Sequence, residues 1–102
     1  MKVVAFDVDG TLIEEPGDKP RADIIEKLIW HFQQGDFVVV WSGGGLDYAR
    51  MWVSRLGLDK YIHAIWPKQK TATTVDVTYD DQIVKLGKEN ILVGPGNYEE
   101  RW

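Results

Sequence analysis

Short apolar runs that alternate with amphipathic helical patterns constrain this chain more than any other feature. "VVAF" (Val3–Phe6) and "FVVVW" (37–41) are apolar at every position. A strand with one wet face alternates apolar and polar residues. A run without that period is buried on both faces, as in a parallel sheet covered by helices. Between the two runs, Ile24, Ile25, Leu28, Ile29 and Phe32 recur at helical spacing within residues 20–34. Asp18 is placed to cap this helix, Pro20 suits its first turn and Gly35 its end. The preceding "EEPGDKP" is a turn by its Gly and Pro. A second helix is expected over 46–56, with Ala49, Trp52, Val53 and Leu56 inward and Gly57 ending it. Further strands are expected at "YIHAIW" (61–66), "VDVTY" (75–79) and "NILVG" (90–94), with a short helix "QIVKLG" (82–87) before the last, and a patternless tail over about 94–102. The alternation predicts an α/β, three-layer Rossmann-like fold with a mostly parallel five-stranded sheet.

Composition narrows the class. At 102 residues with 44% apolar content, one domain with a single core is expected. The net charge of −4 argues against a broad nucleic-acid footprint, which is normally basic. With no cysteine, disulfides, thiolate chemistry and Cys-type zinc sites are excluded. The apolar run ahead of Asp7 is too short for a signal peptide, and no run approaches the roughly 18 apolar residues of a membrane span. A cytoplasmic protein without membrane contact is the expectation. Trp30, Trp41, Trp52, Trp66 and Trp102 are scattered without an aromatic box.

In parallel α/β sheets, ligands sit beyond the C-terminal strand ends. Here the first strand ends in Asp7 and Asp9, the second in Ser42 and three glycines, and the fourth in Asp80 and Asp81. One crevice would therefore gather four carboxylates, a hydroxyl and a Gly-rich turn. Like charges at such spacing need a cation or a proton between them. Carboxylate and carbonyl oxygens suit the hard ion Mg²⁺, and a Gly-rich turn entering a helix suits an anion.

"DVDGTL" resembles the first motif of the haloacid-dehalogenase (HAD) superfamily of phosphotransferases, "VVVWSGG" its second and "VTYDDQ" its fourth, in the right order over about the first 93 residues. The resemblance implies a Mg²⁺-dependent phosphomonoester hydrolase with Asp7 as the nucleophile that forms an aspartyl-phosphate. It makes Asp9 the general acid and base, with its backbone carbonyl on the metal. Ser42 and Gly43, with Gly10 and Thr11, would bind the phosphoryl group. Asp81 is the favoured direct metal ligand, beside Asp7, Asp9 and Asp80. The family's third motif is a lysine before the fourth strand; "WPKQKTATTVDV" offers Lys68 and Lys70, and Lys70, nearer the strand, is preferred.

Other residues have plainer readings. His31 and His63 read as structural or surface histidines, and Glu14, Glu15, Lys19 and Arg21 as a solvated turn at the position of the family's flap. Asp47, Tyr48 and Arg50 stand just past the glycines, where they could rim the crevice. Larger relatives insert a cap domain after the first or third strand, and this chain has room for neither. An open site favours a phosphate exposed on a macromolecule, or a second copy or partner protein that supplies the lid.

Two other classes compete. A catalytically weak or inactive relative would keep the pocket as a phosphate- and metal-binding or interaction module. A receiver domain is also small, parallel and acidic, but carries its accepting Asp on the third strand, which here ends in "AIWPK". Carbon–halogen hydrolysis does not match the second Asp and the acidic pair.

Overall fold

The computed structural model describes residues 1–68 and 75–94. Its fold is α/β and Rossmann-like. Strands β1 (Val3–Phe6), β2 (Phe37–Val40), β3 (Ala64–Ile65), β4 (Val77–Asp80) and β5 (Glu89–Leu92) form one sheet in the order β3-β2-β1-β4-β5, and every pair is parallel. Helix α1 (Ala22–Gln33) joins β1 to β2, and α2 (Leu46–Arg55) joins β2 towards β3. No cap domain interrupts the described residues.

Side-chain alternation divides the core. Val4, Phe6, Val38, Val40, Val77 and Tyr79 point to one face, where they meet Ile24 and Leu28 of α1 and Ala49, Trp52 and Val53 of α2. Right-handed crossovers that step in the same direction along a sheet place both helices on the same side. Ala5, Val39, Trp41 and Val75 form a second cluster on the other face, packed by Trp66 and Leu86. The layer there is made, among the described residues, by connecting segments rather than by a helix. Neither helix crosses a membrane: none among the described residues is long and apolar enough.

Several elements depart from the sequence expectation for local reasons. The helix expected over 82–87 is irregular chain, because the Asn90 side chain takes its amides: Oδ1 accepts from the N–H of Leu86 and of Gly87, and Nδ2 donates to the Gly87 carbonyl. β3 is two residues long. Ahead of it, His63 Nδ1 accepts the Val38 N–H at 3.0 Å where a strand carbonyl would stand, and residues Asp59–Tyr61 form a 3₁₀ turn. β4 begins at Val77, one residue past Asp76, whose side chain accepts the Val3 N–H. Asp18 does not cap α1; it lies at φ 58° in the turn, and Arg21 occupies the N-cap position. That turn folds on itself as a small hairpin, with Ile13 bridged to Pro20 and the Glu14 N–H bonded to the Lys19 carbonyl. The tail beyond Gly94 lies outside the described residues.

Behind the sheet a buried polar chain ties α1 to β4. His31 bonds Asp36 through Nδ1 and the Tyr79 hydroxyl through Nε2, each at 2.9 Å. Tyr79 also stacks on Phe6. His31 is thus structural, as is His63. Removing the hydroxyl strands a buried ring nitrogen, which costs about 1–3 kcal/mol. Tyr79→Phe is therefore expected to lower the urea midpoint by that equivalent with no change in the slope of the transition.

Candidate active site

β1 is the central strand, and the chain turns to opposite sides of it on reaching β2 and β4. The gap between β1 and β4 at their C-terminal ends is the switch point at which α/β sheets bind ligands. Asp7 stands there. Its N–H donates to the Tyr79 carbonyl at 3.0 Å, which extends the ladder one residue past β1 and fixes the backbone. Its side chain is buried, as is that of Asp80, the last residue of β4. Asp80 Oδ1 accepts the Gln82 N–H at 2.9 Å, which orients the carboxylate.

Lys68, from the segment after β3, reaches between them. Its Nζ donates to Asp7 Oδ1 at 2.9 Å and lies 2.6 Å from Asp80 Oδ2. The second contact is an ion pair that holds the buried Asp80 Oδ2 against the ammonium. Asp81 completes the group: Asp7, Asp80 and Asp81 each bring a carboxylate oxygen within 4.8 Å of the others. The Asp81 carboxylate lies against Gly10. A Cβ at that position would fall 2.1 Å from Asp81 Oδ2, and φ there is +78°, so glycine is required on both counts.

Burial, first of all, pushes the Asp7 carboxyl up from 3.8 to about 7, with the Asp80 and Asp81 charges adding to the rise and Lys68 opposing it. Asp81 is raised as well, by burial and by the Asp80 charge, while its hydrogen bond with Asp7 acts the other way. Burial disfavours the Lys68 ammonium, but its contacts with Asp80 and Asp7 outweigh that and hold its pKa above the usual lysine value. Fully ionised, three carboxylates and one ammonium leave a net charge of −2. An all-oxygen donor set with that charge fits a hard divalent cation.

The remaining expected residues surround this cluster. Ser42 is buried, and its Oγ accepts the Gly44 N–H at 2.9 Å, which leaves its own O–H to donate. Gly43 is exposed, with open space where a side chain would stand. Thr11 is fully buried and its Oγ1 has no hydrogen-bond partner. The Asp9 side chain stands apart from the three-carboxylate group and accepts the Tyr48 hydroxyl at 2.7 Å on Oδ1. Lys70, preferred from the sequence over Lys68, lies outside the described residues; the ammonium between Asp7 and Asp80 belongs to Lys68.

Arg21, expected in a solvated turn, is instead buried: it pairs with Asp23 and donates through Nη1 to the Gly94 and Gly10 carbonyls, tying the loop after β1 to the end of β5. Glu15, Lys19, Asp47 and Arg50 are exposed. Of the residues just past the glycines, Tyr48 alone bonds to a motif aspartate. Its position in the first turn of α2 was the available signal, since that turn enters directly from the glycines. A separate cleft of about 280 Å³ runs along β3 between Arg50, Asp59 and His63, and none of the cluster residues lines it. Compared with protein-family models, with curated proteins and with solved structures, the chain matches none.

Two outcomes follow from this geometry. The folded-state pKa of Asp7 lies above its unfolded value, so its contribution to stability is complete below about pH 3.8 and is lost as pH rises towards 7. With a chelator present, urea unfolding should show stability falling over that window by on the order of 3 kcal/mol, and Asp7→Asn should flatten the decline. Gly10→Ala drives a methyl into Asp81; calorimetry should then show divalent-cation affinity reduced about 10- to 100-fold.

Proposed function

We propose that this protein is a capless phosphomonoester hydrolase of the haloacid-dehalogenase type, with Asp7 as nucleophile and Mg²⁺ as cofactor. The observation that carries the reading is the buried Asp7 carboxylate at the switch point, bonded to Lys68 and grouped with Asp80 and Asp81. Phosphoryl transfer needs little covalent chemistry beyond a positioned nucleophile and fixed charges for the transferring oxygens.

In the first half-reaction an Asp7 oxygen attacks phosphorus and the ester P–O bond breaks. Asp9 gives its proton to the leaving oxygen, and the phosphoryl group rests on Asp7. In the second half, Asp9 takes a proton from water, the water oxygen attacks phosphorus, and the Asp7 carboxylate leaves with phosphate released. Lys68 offsets the charge of Asp7 and of the phosphoryl oxygens. The Ser42 and Thr11 hydroxyls and the amides entering α2 supply donors. Held by Asp7, Asp80, Asp81 and the Asp9 carbonyl, Mg²⁺ would keep Asp7 ionised near neutral pH and neutralise phosphate oxygens.

With no cap over the site, the reading favours substrates whose phosphate protrudes, such as a phosphorylated macromolecule, or a lid brought by another chain. A cytoplasmic setting suits a chain with no cysteine. The test is hydrolysis of an aryl phosphate with Mg²⁺. EDTA and Asp7→Asn should each abolish turnover, and Lys68→Met should lower it about 10²- to 10³-fold. Hydrolysis that survives Asp7→Asn would overturn the reading. Cation binding without turnover would instead make the chain a phosphate- and metal-binding module.

A further inference from the structure

We infer that Tyr48 is a positioning residue that fixes the rotation of the Asp9 carboxyl, occupying Oδ1 and leaving Oδ2 as the oxygen that exchanges the proton with the leaving group. The inference rests on the proposed hydrolase reading and assigns a role that the motif residues do not contain.

The Asp9 side chain has no place in the three-carboxylate group found among the described residues. Its restraint comes from α2: the Tyr48 hydroxyl donates to Oδ1 at 2.7 Å, across 39 residues of sequence. The phenol is itself held. Its ring packs on Gly44, where an added Cβ would meet Tyr48 Cδ2 at 3.0 Å and Cγ at 3.1 Å. Trp52, one helical turn on, is buried on the same side of α2. An ordinary phenol is protonated at neutral pH, so the hydroxyl is a donor there.

A tyrosine hydroxyl has one proton to donate. With that proton on Oδ1, the two carboxyl oxygens are no longer equivalent, and a half-turn about Cβ–Cγ breaks a 2.7 Å bond. When the ester P–O bond breaks, the electron pair stays on the leaving oxygen and the proton on Oδ2 passes to it. Oδ2 is later the acceptor for the proton of the attacking water. Tyr48 keeps its own proton throughout.

A residue that positions a proton donor matters in proportion to the leaving group's need for a proton. Steady-state kcat/KM, which reports the first phosphoryl transfer, is compared for 2,4-dinitrophenyl phosphate and for a simple alkyl phosphate in wild type and Tyr48→Phe. Dinitrophenolate leaves unaided, so Tyr48→Phe should be near wild type with it. With the alkyl phosphate it should lose about 10- to 100-fold. Gly44→Ala, which displaces the ring without removing the hydroxyl, should shift the same ratio in the same direction and serves should Tyr48→Phe fail to fold. Equal losses on both substrates, or no loss on either, would overturn the inference while wild-type activity that depends on Asp7 leaves the hydrolase reading standing. Absence of any such activity in the wild type would remove both.

Discussion

The ammonium of Lys68 is the contact on which the C-terminal edge of the sheet depends. Three carboxylates cannot share 4.8 Å of space at low solvent exposure without compensation. Lys68 touches two of them, and its own burial is offset by those same contacts. Even so the balance is incomplete. Burial still pushes the Asp7 carboxyl up to about 7, because one ammonium does not neutralise three carboxylates. A fold that tolerates this leaves stability unrealised at one edge, which is a common trait of sites built for ligands rather than for packing.

The rigidity that holds the carboxylates in place comes from the two central strands. Tyr79 does two things: its carbonyl takes the Asp7 N–H, and its hydroxyl takes His31. The same residue therefore sets the Asp7 backbone and anchors α1 to the sheet, with Phe6 stacked against its ring. On the other flank Arg21 joins Gly10 to Gly94, so the loop after β1 is braced against the end of β5.

The strand pattern was legible because β1 and β2 are apolar without period, and a continuous apolar run in a short α/β chain has few other uses. The polar strand ends were legible for the same reason. What was hidden were side chains that replace backbone partners. Asn90 takes amides that would otherwise have closed a helical turn over 82–87, and His63 takes an amide that would have lengthened β3. Propensity does not register a side chain that competes for hydrogen bonds from a different element. Two lysines two positions apart present identical chemistry in sequence, and which ammonium enters the site depends on the path of the chain after β3. Tyr48 was legible as a neighbour of the glycines, but not as the partner of an aspartate 39 residues away.

The strand order also governs when the parts of the site come together. β1 pairs with β2 through a local βαβ unit, whereas its other edge pairs with β4, whose Asp76 meets Val3 across 73 residues. Closing that long loop is the slow, late step of a non-local pairing. Until it closes, Asp7 has neither the Tyr79 carbonyl nor the Asp80 carboxylate beside it. The group of Asp7, Asp80 and Asp81 thus exists only once the fourth strand has docked beside the first, so the carboxylate cluster and the completed sheet are one assembly.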